Sequence, residues 1–381
     1  MTIGIEAERA NTPHKTGVEH YAKQLILHLA EVDKVNSYIL YLRTQPEEWF
    51  LALPKNFRIK VMPFPLFWTQ VRLSWEMLTS PVDVLFIPAS ALPLVHPKKC
   101  VVTIHDIAWK YYPETFTPFM RWFLEWSTKF AVNNASRIIA VSSATKKDLV
   151  NEYNISEEKV SVVHHGFEQT NTLISKSADK LISKSANQLI SKSQNQLVNK
   201  LPTPYVLFLS TLQPRKNLER LIDAFRMLKT ELPDLPHKLV VVGKPGWRFE
   251  SILQKLEANK DIVIYKNYVS DRERLEILKG ADVLVQPALY EGFGMQILEA
   301  FASAVPVACS NVSSLPEVAG EAAVYFNPEN VVDMKQSLKA LLLDESLKHD
   351  MIQKGYARLK EYSWEKCAKE TLSILNNTRH A

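Results

Sequence analysis

The sequence predicts an α/β protein of two doubly wound parallel-sheet domains facing each other across a deep cleft. Three observations carry that expectation. Short β-branched runs alternate with amphipathic helical stretches, which implies parallel sheets covered on both faces. The length, 381 residues, exceeds what one hydrophobic core usually serves. The alternation also breaks once near the middle, at a stretch of different composition.

A short first strand precedes Gly17, and a helix follows over 20–31. Apolar runs at 82–87, 100–104, 137–141 and 159–163 read as further strands, with a helix over 118–132 among them. In the second half, 205–210, 238–242, 262–265, 283–286, 305–308 and 323–326 read as strands. Helices over 217–229, 249–258, 270–279 and 295–304 lie between them, and Ser270 with Glu273 forms a capping box. The break is 167–200, where Leu-Ile-Ser-Lys-Ser recurs from Leu173, Leu181 and Leu189, with a partial copy at Leu197. An eight-residue step turns a helix by ~800°, about 80° beyond two turns, so the Leu-Ile pairs would spiral around it. Neither a coiled-coil seam nor a solenoid unit has that period. The stretch reads as a repeat expansion in a linker, dividing a first domain, 1–166, from a second, 201–362.

Composition excludes several classes. With 46% hydrophobic and 23% charged residues the chain is neither disordered nor fibrous. Cys100, Cys309 and Cys367 are too few and too dispersed for a disulfide framework or a metal ribbon, which fits a reducing compartment. The net charge of +5 raises the question of nucleic acid, but its distribution argues against it. Residues 1–166 carry 18 basic against 16 acidic side chains, 167–200 carry 5 against 2, and 201–381 carry 23 against 23. No export signal or membrane span is read, so the expected location is cytoplasmic, with attachment to the inner face of the plasma membrane open.

Four segments could carry chemistry. The first is Glu291-Gly-Phe-Gly-Met-Gln-Ile-Leu-Glu299, directly after an apolar strand. Gly292 and Gly294 allow close backbone approach, and the helix that follows offers free N–H groups to an anion. Two carboxylates around such a turn suit a sugar nucleotide; a helix start with one solvated and one capping Glu stays open on spacing alone. The second is Pro214-Arg-Lys-Asn217, where Arg215 and Lys216 would neutralise a diphosphate. A cation pair at a helix start runs against the macrodipole, which favours a functional reading. The third, Ile104-His105-Asp106, places His105 at a strand's carboxyl end, where such folds bind ligands; a structural histidine is the plain alternative. The fourth is the Gly17 turn, weak by itself.

No dinucleotide glycine fingerprint, P-loop, HExxH or GxSxG is present. Asp-x-Asp is also missing, so a bound diphosphate would depend on protein cations rather than metal.

Together these segments resemble the retaining glycosyltransferases of family 4, of the bacterial exopolysaccharide and cell-envelope type, with the GT-B fold of two Rossmann-like domains. Val141-Ser142, Tyr268-Val-Ser-Asp271, Ser314-Leu-Pro-Glu317 and Tyr362-Ser-Trp-Glu365 add to the likeness. The resemblance implies a nucleotide-diphosphate sugar as donor, a glycan or lipid-linked acceptor bound by the first domain, and no cofactor or metal. It implies that Arg215 and Lys216 hold the leaving diphosphate, Glu299 the ribose hydroxyls and Glu291 those of the sugar. Gly292, Phe293, Gly294, Met295 and Gln296 would face the sugar and phosphate, and Val269 the base. His105 would contact the sugar near the reacting centre, and Gly17 would line the phosphate. It also implies that a last helix, from about 363 to 381, returns to the first domain. Gln296 departs from the proline common there, which restores an N–H donor at the helix start.

UDP-glucose is the expected donor, with GDP-mannose the alternative. A non-catalytic sugar-nucleotide or glycan binder is the main rival, a dehydrogenase and an epimerase lesser ones. Lys216→Ala is expected to abolish transfer without cost to the fold. Phe119, Phe123, Trp126 and Phe130 recur at core spacing, whereas Phe116 and Trp122 do not fit it. With Arg121 and Lys129 they suggest a helix that touches a membrane.

Overall fold

The computed structural model describes residues 1–12, 17–89, 91–167 and 201–378. The chain falls into two compact units, Met1–Gly166 with Tyr362–Ala381, and Phe167–Glu361. The repeat expected to be a linker lies outside the described residues.

The first unit is built on a seven-stranded parallel sheet. Its strands are β1 (Thr2–Glu6), β2 (Ser37–Leu42), β3 (Phe57–Val61), β4 (Val84–Ile87), β5 (Cys100–Ile104), β6 (Arg137–Ala140) and β7 (Val160–Val162). Their order, β3-β2-β1-β4-β5-β6-β7, reverses direction between β1 and β4. At the sheet's centre Ile3 faces Tyr38 on one side and Val84 on the other. β3 is an edge strand, and its alternation of buried Phe57 with exposed Arg58 and Lys60 reads as a loop when the partner is unknown. The last helix, Trp364–Asn377, packs on the first, Gly17–Val32, and buries Trp364, Cys367, Ala368, Thr371 and Leu375.

Helix Pro118–Asn134 corrects the expected core. Thr117 caps it and Pro118 opens it, but it buries Ser127, Thr128, Ala131 and Val132. Small side chains let the helix lie close to the sheet, and its aromatic stripe turns outward. Phe119 is 68% exposed while Phe116, the residue that did not fit core spacing, is buried.

The second unit holds a six-stranded parallel sheet: β8 (Tyr205–Leu209), β9 (Lys238–Val242), β10 (Val263–Lys266), β11 (Val283–Gln286), β12 (Val307–Ser310) and β13 (Ala323–Phe326). The order is β10-β9-β8-β11-β12-β13, with the reversal between β8 and β11. Helix Leu218–Glu231 seals one flank with Leu221, Ile222, Phe225 and Leu228, all buried against β8 and β9. Ser270 caps helix Asp271–Lys279 through the capping box. Helices Ser143–Tyr153 in the first unit, and Val331–Leu343 and Glu345–Leu359 in the second, complete the cover; the apolar pattern of each is too weak to mark it out from sequence.

Candidate functional site

Where strand order reverses, the loops leaving two neighbouring strands part and open a crevice at their carboxyl ends. In the second unit that place is the end of β8 and β11, and it gathers the residues singled out from sequence. Beyond β8, Pro214–Lys216 form a single 3-10 turn rather than the first turn of the helix. Asn217 follows in the left-handed conformation (φ 60°), and the helix begins at Leu218. Asn217 Nδ2 donates to the carbonyls of Pro287 (2.9 Å) and Pro328 (2.8 Å), which pins this turn to the loops after β11 and β13. The Leu289 N–H, in turn, donates to the Arg215 carbonyl at 2.9 Å.

That pinning brings three charges together. Lys216, 8% exposed, donates to Glu291 Oε1, and Gln286 Nε2 donates to the same oxygen at 2.9 Å. Arg215 Nη1 donates to the Tyr290 carbonyl at 3.0 Å and stands 3.6 Å from Glu291 Oε2. Arg215 Nε is buried and meets no acceptor among the described residues. Within the cluster Arg215, Lys216 and Glu291, one carboxylate thus faces two cations, and Arg215 keeps guanidinium donors that meet no acceptor among the described residues. Lys216 cannot be removed freely, contrary to the expectation from sequence. A buried carboxylate would lose its closest partner, and breaking such a pair costs about 3–5 kcal/mol.

The loop carrying Glu291 is fastened from behind. Ser313 and Ser314 hydroxyls both donate to the Glu291 carbonyl, at 2.5 and 2.8 Å, and Ser314 also reaches the Phe293 carbonyl. Gly292 and Phe293 are buried. Gly294 has φ +106°, and a Cβ there would stand 2.8 Å from Leu315 Cδ2, so only glycine fits. Helix Met295–Ala302 starts at once, with Met295 and Gln296 half-buried at its first turn. Glu299 lies one turn further and pairs with Arg274 through Oε2; Oε1 has no partner among the described residues. Val269 is half-buried in the loop between β10 and helix Asp271–Lys279.

In the first unit the reversal lies between β1 and β4. His105, just past β5, donates from Nε2 to the Pro88 carbonyl beyond β4 at 2.9 Å; a carbonyl only accepts, so the proton is on Nε2. Burial pushes its pKa down, partly offset by that bond and by Asp106, so the ring is neutral at neutral pH. Tyr21 meets the ring edge-on at 4.9 Å and Tyr21 also stacks on His165. Gly17 begins its helix exposed, and a Cβ there would meet nothing within 4 Å. Nothing in the described fold demands glycine at that position.

The chain's likeness to known proteins follows the same division. Residues 15–170 match the sequence profile described as Glycosyltransferase Family 4, and residues 190–358 that described as Glycosyl transferases group 1. The chain belongs to glycosyltransferase family 4. It is 29% identical over 278 residues to an O-antigen chain mannosyltransferase B of Escherichia coli, covering 72% of this chain and 70% of that one. It is 25% identical over 237 residues to the serotype-specific mannosyltransferase WbdA of Escherichia coli, covering 61% of this chain but only 28% of that longer protein. Among solved structures it resembles WaaG, a glycosyltransferase involved in lipopolysaccharide biosynthesis, with a TM-score of 0.70 over 99% of this chain and 100% of that one at 16% identity. That likeness fixes the fold as GT-B.

Three contributions to the candidate site of the second unit, and one buried carboxylate of the first, escape a reading of the sequence. Gln286 ends an apolar strand, and a polar residue in that place was the available signal. Arg274 becomes visible only once helix Asp271–Lys279 is set beside helix Met295–Ala302. Lys244, just past β9, lies over the exposed Tyr268 ring at 4.4 Å, beside Val269. Glu6 ends β1, and burial pushes its carboxyl up to about 7 against the pull of Arg9. No helix among the described residues is long and apolar enough to cross a membrane.

Proposed function

We propose that this glycosyltransferase moves a mannosyl residue from GDP-mannose to a glycan or lipid-linked acceptor in bacterial polysaccharide synthesis, with retention at the anomeric carbon and without metal. The Arg215–Lys216–Glu291 cluster at the β8–β11 reversal is the observation that carries the reading. Its surplus positive charge, beside the free start of helix Met295–Ala302, suits a diphosphate that gains charge as the sugar leaves. The unclaimed Glu299 Oε1 suits a ribose hydroxyl. Mannose rather than glucose is supported by the two mannosyltransferase relatives, which lend no weight to the expected UDP-glucose.

In the step proposed, the bond from anomeric carbon to diphosphate oxygen breaks and the bond to the acceptor oxygen forms on the same face. The acceptor's proton passes to the departing diphosphate, so no separate base is needed. Protein groups position the partners and stabilise charge. His105, neutral and with Nε2 committed to Pro88, would serve as a fixed contact to the sugar rather than as a proton carrier.

The test is calorimetric titration with GDP-mannose and UDP-glucose, followed by transfer assays with and without EDTA and proton NMR of the product's anomeric centre. GDP-mannose should bind at least ~10-fold more tightly, a difference of about 1.4 kcal/mol. Turnover should survive the chelator, and the product should be α-linked. Preference for UDP-glucose overturns the donor; loss of turnover with EDTA overturns metal independence. Binding without transfer to any acceptor would favour the rival reading, a non-catalytic binder.

A further inference from the structure

We propose that Arg274 is a positioning residue for the nucleotide's ribose: it holds the Glu299 carboxylate by one oxygen and leaves the other to the ribose hydroxyls. The inference rests on the proposed nucleotide site, but not on which base the donor carries.

Both ends of the pair stand on fixed backbone. The Ser270 N–H donates to Glu273 Oε2 at 3.0 Å, and the Glu273 N–H donates to Ser270 Oγ at 3.3 Å, so the first turn of helix Asp271–Lys279 is closed from both sides. Arg274 is the next residue, and its N–H donates to the Ser270 carbonyl at 2.8 Å. Helix Met295–Ala302 packs beside this helix and buries Ile297, Leu298, Ala300 and Phe301. Burial on both sides of Glu299 fixes the rotation of its helix, so the carboxylate meets the guanidinium without either backbone having to move.

The guanidinium lies between two carboxylates of unequal weight. Arg274 Nε is 3.7 Å from Oδ1 of Asp271, a fully exposed side chain one turn back. Nη1 donates to Oε2 of Glu299, whose side chain is only 19% exposed. The exposed pair contributes little, and the covered one more. No other cation or side-chain donor meets the Glu299 carboxylate among the described residues.

Two consequences favour a role in binding over a plain tie between helices. A free glutamate side chain samples many rotamers, and anchoring one oxygen removes that freedom before the ligand arrives. The ribose is also esterified to the diphosphate, so a carboxylate that meets its hydroxyls lies near phosphate charge and, unpaired, would repel it. Arg274 cancels that charge and leaves Oε1 an acceptor.

The test is calorimetric titration of the full chain with GDP and with UDP, each against its 2′,3′-dideoxy counterpart. Charge cancellation serves both members of a pair alike, so their affinity ratio reports the positioning. Whichever base binds, wild type should hold the ribonucleotide about 10-fold more tightly than the dideoxy form. Arg274→Gln should bring the two within about 3-fold. In transfer assays the same variant should raise donor KM roughly 3- to 10-fold and keep kcat within about 2-fold, the mark of binding lost equally from ground and transition states. Glu299→Gln should lower the ratio as far, and adding Arg274→Gln to it should lower it no further, because the arginine acts through the carboxylate. That double variant strands neither charge and takes the place of Arg274→Gln should the single variant unfold. A ratio unmoved by Arg274→Gln, or a further fall in the Glu299→Gln background, overturns the positioning role and leaves the donor site intact. A changed GDP-to-UDP preference with an unmoved ribose ratio assigns Arg274 to the base and overturns it too. Wild type that binds neither nucleotide ends the proposed function, and this inference with it.

Discussion

Lys216 and Glu291 are each other's solvent. Buried together, they cost little as a pair and much when separated. Lys216→Ala should therefore lower stability by about 3–5 kcal/mol in urea denaturation and cut turnover by roughly 100- to 1000-fold. Adding Glu291→Gln should return most of the stability and none of the activity, because the stranded charge is gone while the leaving group would still lack the cation proposed for it. Recovery of turnover in the double variant would show that the lysine serves only to neutralise the glutamate. Glu6 makes a different kind of demand. Burial raises its carboxyl to about 7, so between the ordinary glutamate value and 7 the folded state holds a proton that the unfolded chain releases. Stability contributed at this position is present at low pH and declines as pH rises through that window, by about 3 kcal/mol in all. Glu6→Gln should flatten that decline, which denaturation midpoints from pH 4 to 8 would show; an unchanged slope assigns the pH dependence elsewhere.

At the scale of elements, the turn from β8 into its helix is held by one side chain. Asn217 supplies the left-handed backbone and one bond each to the loops after β11 and β13. Asn217→Ala loses both and should cost about 2–3 kcal/mol; Asn217→Gly keeps the backbone freedom and should cost about 1 kcal/mol less. If loop pinning is what sets Arg215 and Lys216, both variants should raise the donor KM, as steady-state kinetics would show. A glycine variant with wild-type KM would confine Asn217 to backbone geometry. This turn also marks how far sequence reasoning reaches. The apolar runs of β8, β9 and β11 and the capping box of Ser270 were legible because each is a local signal. Asn217 read as the first residue of a helix, because its partners are 70 and 111 residues away. Arg274 was hidden for the same reason. The stripe on helix Pro118–Asn134 misled, because aromatic spacing says that a helix has two faces and not which one meets the sheet.

At the scale of the whole molecule, the chain returns to its first unit after completing its second. The decisive contact is Trp364, 2% exposed, with Tyr21, His28 and His165 around its ring. Gly166 accommodates it, since a Cβ there would stand 2.1 Å from the Trp364 nitrogen. Residues at opposite ends of the second unit's sequence, Gly166 and Trp364, are therefore packed backbone to backbone in the first. Trp364→Ala should cost about 3–5 kcal/mol, the range for an aromatic core truncation. Because the lost contacts all belong to the first unit, the damage should be local in hydrogen exchange. Amides of Gly17–Val32 and β1 should lose protection, while those of β8, β9 and β11 keep theirs. Donor binding measured by calorimetry should then fall less than acceptor-dependent turnover, since Arg215 and Lys216, the cations proposed to hold the diphosphate, stand on the unit that remains folded. Equal loss of protection in both sheets would mean that the two units fold as one cooperative body, and the C-terminal helix would then stabilise the whole chain rather than the unit it covers.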